Sequence, residues 1–224
     1  MTVLAYTWNF DWLPRAAPLF FNGTLLTLRI LIVAAVLAIA LGLVLGELLT
    51  SHSRWVRALP RAYVDFFRLT PILLHIVLVF FLLPIVFGLR LSALTSGIIA
   101  LALNYAAFFA EVFRAGVTSL DRGQREAAQA MGMRRFAVLR RVIYPQAIRR
   151  MLPPLGGMLV SLTKDTSLVS VIGVAELFNV AQAVGAQTFK QTEVLLTISV
   201  IYLVVNYPLA NAAERLHRRL IVNA

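Results

Sequence analysis

Glu111, Lys164, Asp165 and Glu176 are ionisable side chains set in or at the ends of otherwise apolar stretches. A charge held at mid-membrane costs about 2.5–3.5 kcal/mol on insertion scales, so such groups are kept where they bind or pair. Asp165 and Glu176 offer carboxylates suited to an ammonium group. Thr166, Ser167 and backbone amides freed by an interrupted helix offer donors to a carboxylate. Asp165, Thr166, Ser167 and Glu176 are therefore the candidate contacts for a bound solute. Simpler roles compete. Glu111 and Arg114, three residues apart, suit an ion pair supporting the loop that follows. Lys164 and Asp165 can satisfy each other and unwound backbone. Glu176 is flanked by Val174, Ala175, Leu177 and Phe178, although an outer helix end would bring water to it. His75, among Leu73, Leu74, Ile76 and Val77, suits packing or an interhelical hydrogen bond better than a ligand role.

The pattern does not suit bond-making chemistry. No nucleophile lies beside a base, and no His-Glu-x-x-His constellation occurs. His52, His75 and His217 are far apart, so no metal site is expected, and the chain has no cysteine, which excludes disulfides and thiolate ligation. A phosphate-cradling glycine loop followed by Lys-Ser or Lys-Thr is absent. No cofactor bound by this chain is expected; if energy is consumed, another chain supplies it.

The elements that position these residues follow from composition. Of 224 residues, 60% are hydrophobic and 14% charged, against about 25% charged in a water-soluble domain. Several runs reach the ~20 apolar residues that cross a ~30 Å hydrocarbon core as a helix. The expected fold is an all-α membrane protein with five transmembrane helices, near 23–49, 62–87, 91–112, 153–180 and 194–213. The fourth is interrupted at Lys164-Asp165-Thr166-Ser167. Residues 1–22 form an N-terminal interfacial segment, 23–213 the membrane domain and 214–224 a tail. Residues 1–22 lack a basic start and a small-residue cleavage site, so no removable signal peptide is expected.

The net charge of +11 is concentrated between the apolar runs, at Arg54, Arg57, Arg61 and Arg68, from Arg114 to Arg150, and at Arg215, Arg218 and Arg219. The positive-inside rule then places the N-terminus outside and the C-terminus in the cytoplasm. It also makes 115–150 a cytoplasmic loop. Within that loop Asp121 can cap a helix, with Gln124 returning the bond as in a capping box. Glu126 meets the positive end of the helix dipole. Ala127, Ala128 and Ala130 favour a thin helix able to pack deep in a groove of another protein, and Gly132 is a natural stop. A second, amphipathic helix is expected from Arg134 to Tyr144, with Phe136, Leu139, Val142 and Ile143 on one side, ended by Pro145. By amphipathicity alone, a hairpin lying on lipid headgroups explains this segment equally well.

The spacing Glu126-Ala127-Ala128, then Gly132, then Val142-Ile143-Tyr144-Pro145 resembles the EAA loop by which permease subunits of bacterial ABC importers dock onto their ATPase. From Asn22 onward the chain is similar to the polar amino acid uptake family (histidine/glutamine/glutamate-type permeases). Asn22-Gly23-Thr24-Leu25 resembles the family's opening to its first span. Phe66-Phe67-Arg68-Leu69-Thr70-Pro71 resembles its Phe-Arg-Gly-Thr-Pro signature, with Leu69 in place of Gly. Ala106-Ala107-Phe108-Phe109-Ala110-Glu111, Lys164-Asp165-Thr166-Ser167-Leu168 and Gly173-Val174-Ala175-Glu176-Leu177-Phe178 resemble further segments. Asp121 stands where the family usually has Pro, and Gly157 where Asn is frequent. The resemblance implies an ATP-driven importer of polar amino acids in the bacterial inner membrane. Its parts would be two copies of a cytoplasmic ATPase holding ATP and Mg, a second identical or homologous permease, and a periplasmic solute-binding protein. Glu126, Ala127, Ala128, Gly132 and Pro145 would then couple this chain to the ATPase. An opine or a sulfur-containing amino acid is an alternative cargo.

Overall fold

The computed structural model describes residues 7–222, all of whose regular structure is helical. Four of its helices are long and apolar enough to cross a membrane, or up to five if one sharply bent pair counts as a single span. Met1 to Tyr6, the start of the expected N-terminal segment, and Asn223 and Ala224 of the expected tail lie outside the described residues.

The first helix, α1 (Leu13–Leu49), begins ten residues before the expected start at 23 and carries Pro18 inside it. Pro14 falls in the first turn, where its missing N–H breaks no bond. The α1 helix packs along α4 (Ala93–Thr118) in the most extensive helix contact of the molecule. The notch is made of small residues: Gly42 lies against Phe109, and Gly46 against Phe113. Ile30, Ala34, Ala38, Leu101, Ala106 and Leu162 fill the core beside it.

The single helix expected at 62–87 is two helices, α2 (Arg54–Leu69) and α3 (Ile72–Phe87), bent by 109°. Pro71 is the cause. It supplies no N–H and drives Thr70 into an extended conformation, φ −117° and ψ 149°.

The fourth span also differs from expectation. After α5 (Arg122–Ala130) and the short α6 (Arg135–Val138), a π turn at Leu139–Ile143 leads into α7 (Tyr144–Asp165). Pro145 therefore does not end a helix; it sits in the first turn of α7. The wider π turn, in which the Tyr144 N–H reaches the Leu139 carbonyl, makes room for the ring. The expected interruption near Lys164 is a tightening rather than a break: a 3₁₀ turn, Thr166–Ile172, continues α7. That turn ends at Gly173, whose φ of +81° suits glycine. A separate helix, α8 (Leu177–Thr188), then packs against α1 and α9. The last helix, α9 (Gln191–Val222), runs through Pro208 and takes up most of the tail expected at 214–224.

Candidate functional site

Between α2, α3, α4 and α7 lies a cavity of about 330 Å³, lined by Phe67, Thr70, Asn104, Tyr105, Phe108 and Asp165 among others. The register of α4 against α7 sets Tyr105 opposite Asp165, and the phenol donates to Asp165 Oδ2 at 2.7 Å. Just outside, the Arg68 guanidinium stands over the Phe108 ring, 5.6 Å from its centroid, close enough for cation–π attraction. The cavity thus combines aromatic walls, amide and hydroxyl groups and one carboxylate. That chemistry suits a small polar molecule with a cationic end.

Of the expected substrate contacts, only Asp165 lines this cavity. Thr166 is buried and donates to the Thr163 carbonyl at 2.6 Å, while Ser167 donates to the Lys164 carbonyl at 2.7 Å. Their hydroxyl protons are already committed. Glu176 is fully buried and caps α8, accepting from the Phe178 and Asn179 amides at 2.9 and 2.8 Å. Tyr202 and Thr27 also donate to it, at 3.3 and 3.5 Å. Glu176 and Asp165 are thus not gathered at one cavity. Sequence reasoning missed Tyr105, Asn104 and Phe67; each sits in or beside a motif string already quoted, but nothing in the spacing aimed it at Asp165.

Glu111 and Arg114 form the expected ion pair, Nε to Oε2 at 3.1 Å, with Arg61 adding a contact at 3.8 Å. This cluster ties α2 to the end of α4. His75 makes the expected interhelical bond, to Asn104.

In the loop, Asp121 caps α5 by accepting from the Gly123 amide at 2.8 Å. The returning bond expected from Gln124 is replaced by one from Gln146 Nε2 to Gln124 Oε1, 2.9 Å, which straps α5 to α7. Arg150 adds a second strap, donating to the Ser119 carbonyl and hydroxyl at 2.7 and 2.9 Å. Ala128 is buried against Val117, Leu120, Val138 and Ile143, whereas Glu126, Ala127, Met131 and Gly132 are exposed. Phe136, expected on the apolar side of the second helix, is 71% exposed. Gly132 ends the turn at φ +83°. The result is a short helix that buries Ala128, exposes Glu126, Ala127, Gln129 and Ala130, and is tied to α7 by Gln146.

The family model described as "binding-protein-dependent transport system inner membrane component" matches residues 38–222. The chain belongs to this family. A member of it is a transport component rather than an enzyme. Among similar proteins, a putative glutamine transport system permease protein of Rickettsia conorii is 30% identical over 217 residues, covering 96% of this chain and 100% of that protein. The glutamine transport system permease protein GlnP of Escherichia coli (strain K12) is 40% identical over 131 residues, 58% of this chain. That match spans 60% of the GlnP length. Among solved structures, an amino acid ABC transporter with histidines superposes at a TM-score of 0.88 with 33% identity, covering 96% of this inner membrane component and 100% of that chain. The MetNI methionine ABC transporter in an inward-facing form reaches 0.79 at 21% identity, a likeness of fold.

Proposed function

We propose that this chain is the permease subunit of an ATP-driven ABC importer for polar amino acids in a bacterial inner membrane. The observation that carries this reading is the likeness, across nearly the whole chain, to permeases named for glutamine and to an amino acid ABC transporter. The exposed side of α5 supports it. Glu126 and Ala127 are exposed on a short helix that Ala128 seats on the loop core and Gly132 ends; that helix suits a groove on a cytoplasmic ATPase, with Pro145 in the first turn of the helix behind it. Two such ATPases would bind ATP and Mg; a second permease would complete the pathway, and an external solute-binding protein would deliver the cargo. The arginines around α5 and at the start of α2 favour a cytoplasmic side for both, and hence an external N-terminus.

In this reading Asp165, held by Tyr105, receives the ammonium group of the solute in the cavity. Thr166 and Ser167 contribute when the 3₁₀ turn unwinds and releases their hydroxyls and amides. Glu176 meets a solute only in a state where the start of α8 opens; otherwise it holds α8 against α1. The mechanism is alternating access, in which closure of the ATPases moves α5 and opens the pathway outward.

The test is uptake of a panel of labelled amino acids by cells lacking the gene, then complemented with it. Loss of one chemical class, restored by wild type but not by Gly132→Trp, supports both cargo and coupling. Unchanged uptake across the panel removes amino acids as cargo, and opines or other small polar solutes are then assayed in the same cells.

A further inference from the structure

The bend between α2 and α3 leaves a particular backbone debt. In a continuous helix the Phe67 carbonyl accepts from residue 71, but that residue is Pro71 and has no N–H. The structure settles this carbonyl from another helix: Asn104 Nδ2 of α4 donates to Phe67 O at 2.9 Å. The same nitrogen lies 3.1 Å from His75 Nδ1, and His75 Nε2 lies 2.6 Å from Thr70 Oγ1. Thr70 in turn donates to the Phe66 carbonyl.

The direction of every bond in this chain is fixed by chemistry. An amide nitrogen donates only, and its assignment is set by the carbonyl it faces. His75 Nδ1 must therefore accept, which makes the ring neutral with its proton on Nε2. That proton goes to Thr70, and the Thr70 proton to Phe66 O. All donors are used and both carbonyls of the bend are satisfied. The ring is 2% exposed and is packed by Phe66 and Phe67, with centroids at 5.5 and 4.7 Å.

We propose that His75 is a positioning residue: with Asn104 and Thr70 it forms a polar clip that holds the α2–α3 bend and so shapes the cavity wall. Three of the cavity-lining residues, Phe67, Thr70 and Asn104, belong to the clip or its bonded backbone. The clip acts on them through geometry, without touching a solute. Only its consequence for transport rests on the importer reading; its effect on the bend does not.

The native chain has no cysteine, so spin labels can be placed at Trp55→Cys and Ile85→Cys, both sites being 78% exposed. The full-length chain is used, diluted with unlabelled chain to suppress distances between copies. At 1.5 Å rise per residue, arms of roughly 23 and 22 Å meeting with a 109° bend place the labelled backbones roughly 26 Å apart, against roughly 45 Å if straight. His75→Leu and Asn104→Leu are each expected to broaden this distribution and lengthen its mean by several ångströms. The double variant should go no further than the larger single change, because one linked chain is being cut. Thr70→Val, which keeps side-chain shape, serves if either leucine variant fails to fold, and should lengthen the distance in the same way. His75→Gln, which retains a donor and an acceptor, should recover part of the native distance. A native distribution in the folded variants, or additive shifts in the double variant, overturns the proposal. A shifted distance with unaltered uptake keeps the clip but removes its role in transport.

Discussion

Glycine-to-alanine substitutions should have opposite signs at two places in this molecule, and the geometry says which. At Gly42 a Cβ would lie 2.6 Å from Phe109 Cβ and 3.0 Å from the Ala106 carbonyl. At Gly46 it would meet Phe113 Cβ at 2.7 Å and the Ala110 carbonyl at 2.9 Å. Carbon atoms settle at about 3.5–4.0 Å, so α1 and α4 must part by roughly 0.9 Å or their side chains must distort. Overpacking of this kind costs about 1–3 kcal/mol. At Gly157, in α7, the same methyl meets nothing within 4 Å. There only the better helix propensity of alanine remains, worth about 1 kcal/mol in favour. That propensity gain applies at Gly42 and Gly46 too, so the difference between Gly46→Ala and Gly157→Ala isolates the packing, about 1–3 kcal/mol. The assay is the unfolding midpoint of the purified chain in micelles, followed by circular dichroism against denaturant. Equal shifts at the two sites, or stabilisation by Gly46→Ala, would refute the notch between α1 and α4.

Three further outcomes are expected. Tyr105→Phe removes the donor to Asp165; about 1.4 kcal/mol, a tenfold change in KM for the transported solute, should appear in uptake kinetics with protein level unchanged. Thr27→Val strips the Leu177 amide of its acceptor and Glu176 of a donor where α1 crosses the start of α8; the unfolding midpoint should fall by an amount equivalent to about 1–3 kcal/mol. Gly132→Ala has open space around it but a left-handed backbone. It should cost about 1–2 kcal/mol locally, visible as faster amide exchange across 122–133 with little change in the global midpoint.

Hydropathy and charge placement were enough to read the helical class and the approximate positions of the long apolar elements. The proline rule alone did not predict the outcome at each proline. At Thr70-Pro71 the proline ends a helix, as the rule says, because α4 supplies Asn104 to the orphaned Phe67 carbonyl. At Tyr144-Pro145 the helix continues, because a π turn widens ahead of the ring. Neither compensation is visible in local sequence; one depends on a residue 37 positions away. The site was legible in a similar measure. Asp165, which lines the cavity, was singled out for its cost in an apolar stretch, but Tyr105, its hydrogen-bond partner from 60 positions away, was not. Glu176 drew attention for the same cost. Its actual surroundings, two amides of its own helix and the hydroxyls of Thr27 and Tyr202, depend on how α8 lies against α1 and α9.

The helical run from Arg135 to Ile172 is uninterrupted over 38 residues. At 1.5 Å per residue, Arg135 stands roughly 45 Å from Asp165 along its axis. One end lies just past the Gly132 turn and the other forms a wall of the cavity. Such a rod is a lever: a tilt of about 5° about one end sweeps the other through roughly 4 Å over that length, comparable to the width of a water molecule. The cavity wall at Asp165 can therefore shift without melting of the helix between it and Arg135. In the proposed importer, stiffness between the two ends then matters as much as the chemistry at either one. The π turn and the paired Pro153 and Pro154 are where that stiffness is most easily lost.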